Sequence, residues 1–253
     1  MIIVVKHTKA GNFSYVSHLD TMDVLHRSLK RAKIDVNYSQ GFVKHMLTYA
    51  TTPIPLGTQS VAEYYAVDCN NISADEFLQR FNDNVPQDLK ATYAIAKPKN
   101  PNLAGNVTAS DYLIKCKNIV PVEIEDIMES KEYIIELNKK GEIIQKDVRG
   151  MLFSIFVDGK NLWVRCASGN TNLRIDSFVK HLIKVYNIET TMNDITRLAQ
   201  FVQLDGKFVG VDDYLKLWSK LLFLLTQPTL EFASLKMENL LNFGLKEKVQ
   251  KEL

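Results

Sequence analysis

The chain has 253 residues, of which 46% are hydrophobic and 24% are charged, and its formal net charge is +2. These values are typical of a globular protein and give no general attraction to nucleic acid or to a membrane. The charge is uneven, because residues 1–50 contain seven Lys or Arg and three Asp, whereas residues 51–106 contain four Lys or Arg and six Asp or Glu. The first fifty residues are therefore a local basic region.

The three cysteines, Cys69, Cys116 and Cys166, lie far apart and form no CxxC or CxxxCxxC motif. This spacing excludes sequence-local zinc and iron–sulfur motifs, and we expect three buried thiols in a reducing compartment. The start MIIVVKH lacks the basic lead and long apolar run of a signal peptide, and LLFLL at 221–225 is too short to cross a bilayer. We expect a cytoplasmic protein that binds no membrane, and we assign no cofactor and no metal.

The first half alternates strand-like and helix-like segments. A β-branched run at residues 1–9 predicts a strand. The amphipathic pattern from Ser17 to Lys33 predicts a helix, with Ser17 and Asp20 as its N-terminal capping pair. Two strand-like runs flank the break PIPLG, and the capping box of Ser73 and Glu76 opens a second helix before the strand-like LKATYAIAK. The order β-α-β-β-α-β is that of a ferredoxin-like domain, which we place at residues 1–98.

The second half repeats much of this pattern. Residues 99–106, rich in Pro, Asn and Gly, are the predicted linker, and residues 107–210 the second domain. There we expect a helix opening at Pro121, a hairpin turn at Asp158-Gly159 and one extra strand. Residues 211–253 are predicted to be a helical extension packed on the second half. The predicted fold class is α+β, with two tandem ferredoxin-like domains and a helical C-terminal extension.

The first helix separates into two faces at about 100° per residue. One face carries the charged side chains Asp20, Asp23, Arg27, Lys30 and Arg31. The apolar side also carries two histidines, and we expect His26 to be packed in the core. For His18, in the first turn, packing and a functional role are both open. A helix N-terminus would lower the pKa of its imidazole and favour the neutral ring.

The loop SQGFVKH follows the helix and is chemically rich. We expect Gly41 to allow a turn with positive φ, Ser39 and Gln40 to form hydrogen bonds, and Lys44 with His45 to add positive charge. Two interpretations are open at this point. The loop could bind a phosphate or a stacked base, or it could be a connection with Phe42 in the core.

Familiar catalytic motifs are absent. The sequence has no GxxxxGK[ST], GxGxxG, HExxH or GxSxG. Glu63 and Asp68 in AEYYAVD do not form an obvious carboxylate pair, because their spacing of five sends them to opposite faces of a strand.

Several motifs carry a family resemblance. YVSHLD before the amphipathic helix, then YSQGF, PIPLGTQSVAEY and, more distantly, GNTNLRIDSF with ITRLAQF resemble the uncharacterised bacterial radical SAM-linked, or radical SAM-associated, proteins. The resemblance covers residues 1 to about 206. It implies a protein encoded beside, or fused to, a radical SAM protein with a cobalamin-binding-type domain, often near a ribonuclease of the E/G type. Since this chain lacks CxxxCxxC, it would be the separate partner of that enzyme.

The chain departs from the family pattern at two places. After SQGF the family has Asn-Pro-His-Pro, of which this chain keeps only His45. In the later block Arg174 and Asp176 are kept but the intervening proline is replaced by Ile175. The tandem layout is also similar, at the level of fold alone, to CRISPR repeat-processing endoribonucleases, which place a histidine near the first helix and bind RNA on basic surfaces.

We expect an accessory or adaptor protein that works with a radical SAM enzyme encoded nearby, in RNA or ribosome-related modification, and that binds RNA through the first domain. The predicted RNA- or ligand-binding residues are His18, Arg27, Lys30, Arg31, Ser39, Gln40, Gly41, Phe42, Lys44, His45 and Arg174. One alternative is a metal-independent endoribonuclease or transferase with His18 or His45 as general base. Another is a module for protein–protein interaction alone, through residues 211–253 or a strand edge.

Overall fold

The computed structural model describes residues 1–119, 123–124, 126–139 and 141–217. A nine-stranded sheet runs through the molecule, with α-helices packed against it, so the α+β class is confirmed. In these ranges no helix has the length and apolar character needed to cross a membrane.

The first half forms a four-stranded antiparallel arrangement. Its elements are β1 (Ile2–Lys9), α1 (His18–Arg31), β2 (Thr48–Ala50), β3 (Gln59–Asp68), α2 (Ala74–Asn84) and β4 (Ala91–Lys97). The strand order is β4-β1-β3-β2, and each neighbouring pair is antiparallel. Both main helices begin at the predicted caps, since the Ser17 and Ser73 hydroxyls accept hydrogen bonds from the backbone N–H groups of Asp20 and Glu76.

The second half continues the same sheet. Its elements are α3 (Leu103–Asn106), β5 (Val107–Lys115), β6 (Ile134–Lys139), β7 (Glu142–Asp147), β8 (Leu152–Asp158), β9 (Asn161–Ala167), α4 (Ile175–Tyr186), β10 (Ile195–Leu204) and β11 (Lys207–Gly210). The order β10-β5-β9-β8 is again antiparallel, with β11 beside β10. Short 3-10 helices lie at Gly11–Tyr15, Gln87–Leu89, Asp126–Met128, Arg149–Met151 and Met192–Asp194.

The segment between β5 and β8 differs from the expectation of a helix and one extra strand. β6 and β7 pair only with each other and form a separate two-stranded sheet. The predicted helix at 121–130 falls partly outside the described residues, and within it residues 123–124 are helical and Asp126–Met128 forms a 3-10 helix. The tandem ferredoxin-like arrangement therefore stays a prediction.

The two halves join where β3 lies parallel to β10. Two residue pairs make this contact, Gln59 with Thr196 and Ser60 with Arg197. Beyond it, the same side of β3 pairs with β2. This short parallel contact makes one continuous sheet from two antiparallel sets.

Three apolar cores follow from this layout. The core under α1 and α2 is centred on Phe77, Phe81 and Leu29, and the core under α4 on Phe178 and Leu182. The third core lies on the opposite face of β1 and β3 and continues onto β5 and β10. Cys69, Cys116 and Cys166 are buried and unpaired, as predicted.

The start of the predicted extension packs in a core that both halves share. Residues 211–217 are helical, and Val211, Tyr214 and Leu215 join the third core, which spans β1, β3 and β10. Asp212 accepts hydrogen bonds from Lys6 Nζ at 2.6 Å and the Tyr64 hydroxyl at 2.8 Å. These residues therefore share a core with residues of both halves, and the expectation that the extension packs on the second half stays a prediction for its remainder. Residues 218–253 lie outside the described part of the chain.

The predicted linker contributes to the same core. Its residues 103–106 form α3, and Leu103 is buried against this layer. The domain boundaries at residues 98 and 107 themselves stay predictions.

Candidate functional site

The charged face of α1 is exposed as predicted. The side chains of Arg27 and Lys30 form no ion pair or hydrogen bond with any residue that the structure describes. Arg31 instead donates through Nη2 to the carbonyl oxygen of Asn84 at 2.6 Å and to the Ser28 hydroxyl at 2.9 Å. Arg31 is therefore partly used to hold α1 against the end of α2, whereas Arg27 and Lys30 stay available.

The loop 39–45 is closed by Ser39. Its backbone N–H donates to the His45 carbonyl at 2.9 Å, and its hydroxyl lies 3.0 Å from His45 Nδ1. Phe42 at the tip is fully exposed, so the alternative of a core phenylalanine is wrong. The expectation of a positive φ at Gly41 is also wrong, because the left-handed glycines are at other positions. The Ser39–His45 bonds close the turn without a left-handed residue at Gly41.

A polar recess of about 420 Å³ lies beside this loop. Its walls are Val36, Asn37, Tyr38, Ser39, Gln40, Lys44, Leu47 and Asp68. Ser39, Gln40 and Lys44 were predicted from sequence, whereas Asn37 and Asp68 were not. Because the recess combines the cation of Lys44 and the carboxylate of Asp68 with hydroxyl and amide groups, its chemistry suits a polar ligand that donates and accepts hydrogen bonds.

His18 and His45 lie at opposite ends of the first half. Asp68, whose N–H donates to the Leu47 carbonyl, pairs with Ile2, while Ser60 pairs with Lys9 near the start of α1. Ile2 and Lys9 are seven residues apart on β1, which corresponds to roughly 20 Å at about 3.3 Å per residue. A catalytic pair of His18 and His45 in one pocket is therefore excluded, and the predicted site divides into two.

The second of these places lies at the junction of the two halves and is built around a buried ion pair. The Arg197 guanidinium is fully buried on β10 and donates to Glu63 Oε1 through Nε, at 3.0 Å, and through Nη2. Nη1 and Nη2 also donate to the Thr52 carbonyl, each at 2.9 Å. Burial alone would raise the pKa of Glu63, but the charge and hydrogen bonds of Arg197 bring it below the ordinary value.

Two further buried groups on β1 face Glu63. His7 pairs with Glu63 across β1 and β3, and its Nδ1 lies 2.7 Å from the Thr8 carbonyl. Since a carbonyl only accepts, Nδ1 carries the proton, and in the neutral ring Nε2 is an acceptor. Lys9 Nζ donates to the Val16 carbonyl at 2.8 Å. Burial lowers the pKa of both His7 and Lys9.

His18 joins this group from the first turn of α1. It lines a recess of about 20 Å³ together with His7, Lys9 and Glu63, a space for roughly one water molecule. The pKa of His18 is lowered, as predicted, but the main cause is burial, followed by the charge of Lys9. The recess is therefore lined by two imidazoles that favour the neutral form, those of His7 and His18, beside the buried carboxylate of Glu63.

A larger recess of about 250 Å³ lies on the other side of residues 52–55. It is lined by Tyr112 and by Asn172, Leu173, Arg174 and Ile175 at the start of α4. Arg174 forms a two-point ion pair with Asp176, at 3.2 and 2.9 Å. The structure thus brings His18 and Arg174 to the two sides of a loop whose Thr52 carbonyl is held by Arg197.

Sequence reasoning missed His7, Lys9 and Arg197 and considered Glu63 only against Asp68. A signal was present, because each of these residues interrupts an apolar strand-like run. A charged residue at the inward position of a strand needs a buried partner. Within the described ranges no group of three His, Cys, Asp or Glu side chains could hold a metal ion.

Comparison with known protein families identifies a family that matches most of the chain. A family described as an uncharacterized protein conserved in bacteria, DUF2344, matches residues 3–184, which is more than half of the sequence. The chain belongs to this family. The matched region contains α1, the loop 39–45, Glu63 and Arg174, and it ends before Arg197 on β10. None of the curated proteins matches the chain.

Proposed function

We propose that the chain is an RNA-binding accessory protein that acts with a separate radical SAM enzyme in RNA or ribosome-related modification. The observation that carries the proposal is the exposure of Phe42 at the tip of a closed, basic loop. The exposed ring is free to stack on an unpaired base, a contact that proteins commonly make with single-stranded RNA.

The surrounding charges support the same ligand. Lys44 is exposed in the loop, and Lys30 and Arg31 are exposed in the last turn of α1, from which the chain continues into the loop. Arg27 and Lys30 have no acidic partner among the described residues, so their charges are available to phosphates. Contacts of this kind position a nucleic acid without reading its sequence.

The recess beside the loop supports recognition of a base or sugar. It is about 420 Å³ in volume, within the usual range for small-ligand pockets, and it presents Gln40 and Asn37. In this proposal Phe42 stacks on one base, while Gln40, Ser39 and His45 form hydrogen bonds around it. His18 and Arg174, also predicted as ligand-binding residues, line the two junction recesses and take no part in this contact.

The radical SAM partner is proposed from the sequence resemblance and from the missing CxxxCxxC motif. We also infer that the two halves are related ferredoxin-like units, which the orders β4-β1-β3-β2 and β10-β5-β9-β8 support. Co-purification tests the partnership. The tagged chain should retain the radical SAM protein encoded nearby, whereas an unrelated tagged protein should not. Failure of the two purified proteins to associate would contradict it.

RNA binding is tested by measuring affinity for total cell RNA over a range of salt. The variant Arg27→Glu, Lys30→Glu, Lys44→Glu should bind much more weakly and with a shallower salt dependence, by about one unit of slope for each lost phosphate contact. The matched control variant reverses the charges of three exposed lysines of the second half by the substitutions Lys131→Glu, Lys146→Glu and Lys180→Glu. Equal losses in the two variants would contradict the proposed surface.

A second candidate function is favoured by the junction. His18 lies in a recess with buried His7, Lys9 and Glu63, and a neutral imidazole beside such groups suits a general base. The chain would then be a metal-independent endoribonuclease or transferase. Cleavage of cell RNA by the purified chain in the presence of a chelator, lost in His18→Gln and kept in His45→Gln, is the expected result. Cleavage that persists in His18→Gln would exclude this role.

A further inference from the structure

The outward face of the second half of the sheet carries a set of aromatic side chains. Leu113, Trp163 and Phe156 are paired across β5, β9 and β8, and Asp111 pairs with Arg165 one step along. The intervening residues Leu162 and Val164 point to the opposite face, where they pack in the core under α4. The aromatic residues Phe153, Phe156, Trp163, Phe201 and Phe208 belong to none of the three cores formed by the described residues.

These rings form two groups. Phe156 and Trp163 are stacked, with ring centroids 5.8 Å apart and planes 5° from parallel. Phe208 contacts Phe153 at 4.8 Å and Phe201 at 6.3 Å. Phe153 and Phe156 are 37% and 48% exposed. Each group therefore presents ring surface to solvent.

Arg165 lies between the rings and is held in place. It forms two hydrogen bonds to the carboxylate of Asp111, at 2.7 and 2.8 Å. Its guanidinium stands over the Phe201 ring at 4.1 Å and near the Phe208 ring at 5.5 Å. A planar cation fixed on an aromatic ring is a preorganised stacking surface.

Positive charge borders the Phe156–Trp163 end of this face. Lys115 pairs with Asn161 at the end of β5 and alternates with Leu113 and Asp111 on the outward face. The Lys160 carbonyl accepts the N–H of Cys116, which places Lys160 next to Lys115. Both lysines are exposed, and neither forms an ion pair with a residue of the described ranges.

We propose that this outward face binds single-stranded nucleic acid. We name the face the sheet platform and define it by Phe153, Phe156, Trp163, Arg165, Phe208, Lys115 and Lys160. Bases stack on the exposed rings, and phosphates meet Lys115 and Lys160, since stacking on aromatics beside cations suits single strands of any sequence. The ligand class rests on the proposed function, but none of these residues belongs to the surface of α1 and the loop 39–45. The sheet platform is thus a second, separate binding surface.

The sequence offers a direct probe, because the chain has two tryptophans, Trp163 and Trp218. In the full-length variant Trp218→Phe, Trp163 is the sole tryptophan. Titration with oligouridylate of about twelve nucleotides should quench its fluorescence and saturate. An oligothymidylate arm of the same length separates RNA from single-stranded nucleic acid in general.

Two further variants in this background locate the contact. Phe156→Ala should weaken binding about tenfold or more, and Phe156→Leu, which keeps an apolar side chain, should weaken it similarly. Lys115→Glu with Lys160→Glu should weaken binding and reduce its salt dependence. Since Phe156 is half exposed, the fold is expected to persist, and circular dichroism of each variant checks this.

The outcomes separate this inference from the proposed function. Quenching that survives Arg27→Glu, Lys30→Glu, Lys44→Glu and is lost in Phe156→Ala supports the sheet platform. RNA retention on a filter without any change in Trp163 fluorescence overturns the platform and leaves the α1 and loop surface standing. Absence of binding in both assays overturns both proposals. A Trp163 signal that changes with protein concentration and not with oligonucleotide overturns the platform in favour of self-association.

Discussion

Arg197 on β10 and Glu63 on β3 form a buried ion pair across the junction of the two halves. The pair lies beside the short parallel contact between the strands, where Arg197 is opposite Ser60. The same guanidinium holds the Thr52 carbonyl, so one side chain connects both strands and the loop that separates the two junction recesses.

Removing this cation should be costly. Arg197→Met leaves Glu63 buried without its partner, and we expect a loss of about 3–5 kcal/mol in the free energy of unfolding. Denaturant titration measures this loss. The double variant Glu63→Leu, Arg197→Met should recover part of it, because no unpaired charge is left. Lys184→Ala, which breaks an exposed pair with Glu136, should change stability little and is the control.

Acidification through the pH range in which a free histidine titrates, around its ordinary pKa of 6.5, should destabilise the chain. Burial lowers the pKa values of His7 and His18 from the ordinary value of 6.5. As the pH falls, the unfolded chain therefore takes up protons first, and stability falls until the folded-state pKa is reached. Each histidine contributes at most about 1.4 kcal/mol per pH unit in this window.

The variant His7→Gln tests this assignment through unfolding experiments at several pH values. Its stability should depend less on pH than that of the original chain, whatever its absolute stability. His45→Gln, in the exposed loop, is the matched control. An unchanged pH dependence in His7→Gln would show that its ring titrates alike in both states. This pH range lies above the range in which a free glutamate titrates, so Glu63 does not contribute to the pH dependence of stability there.

Gly57 is required by both its backbone and its surroundings. Its φ is +82°, and a Cβ there would lie 2.9 Å from the Met192 Cβ of the second half. Gly57→Ala should therefore lower the melting temperature more than Gly159→Ala, whose φ is +59° but whose Cβ would meet open space. We expect about 1–3 kcal/mol for Gly57→Ala. A smaller effect than in Gly159→Ala would argue against the close approach of the two halves here.

Phe42→Ala should separate binding from stability. Because the ring is fully exposed, the free energy of unfolding should stay nearly unchanged. RNA affinity should fall by about 1–3 kcal/mol if one base stacks on the ring. Val43→Ala, at the neighbouring exposed position, should have little effect on either quantity. Wild-type affinity in Phe42→Ala would remove the main support for the loop as a binding surface.

Local patterns predicted the first half well. The caps at Ser17 and Ser73 and the apolar stripe of α1 depend on residues three or four positions apart, so their signals are contained in the sequence. The loop closed by Ser39 and the exposed face with Arg27 and Lys30 follow from the same short-range chemistry.

The junction could not be predicted in this way. Glu63 and Arg197 are separated by 134 positions, and no periodicity links two strands so far apart. His18 and His45 show the opposite case. They are only 27 positions apart in the sequence, yet the length of β1 separates them in the structure. The face to which a strand turns a charged residue can be predicted, whereas the identity of its distant partner cannot.

The parallel contact of β3 with β10 also sets an order of events during synthesis. Glu63 is synthesised 134 residues before Arg197, a delay on the order of ten seconds at about 5–20 residues per second. Until then the N-terminal part of β3 presents an unpaired edge beside a carboxylate without its cation, the kind of edge that pairs with other chains. A nascent chain that stalls before Ile195 should therefore aggregate more readily than one released after β10 has emerged.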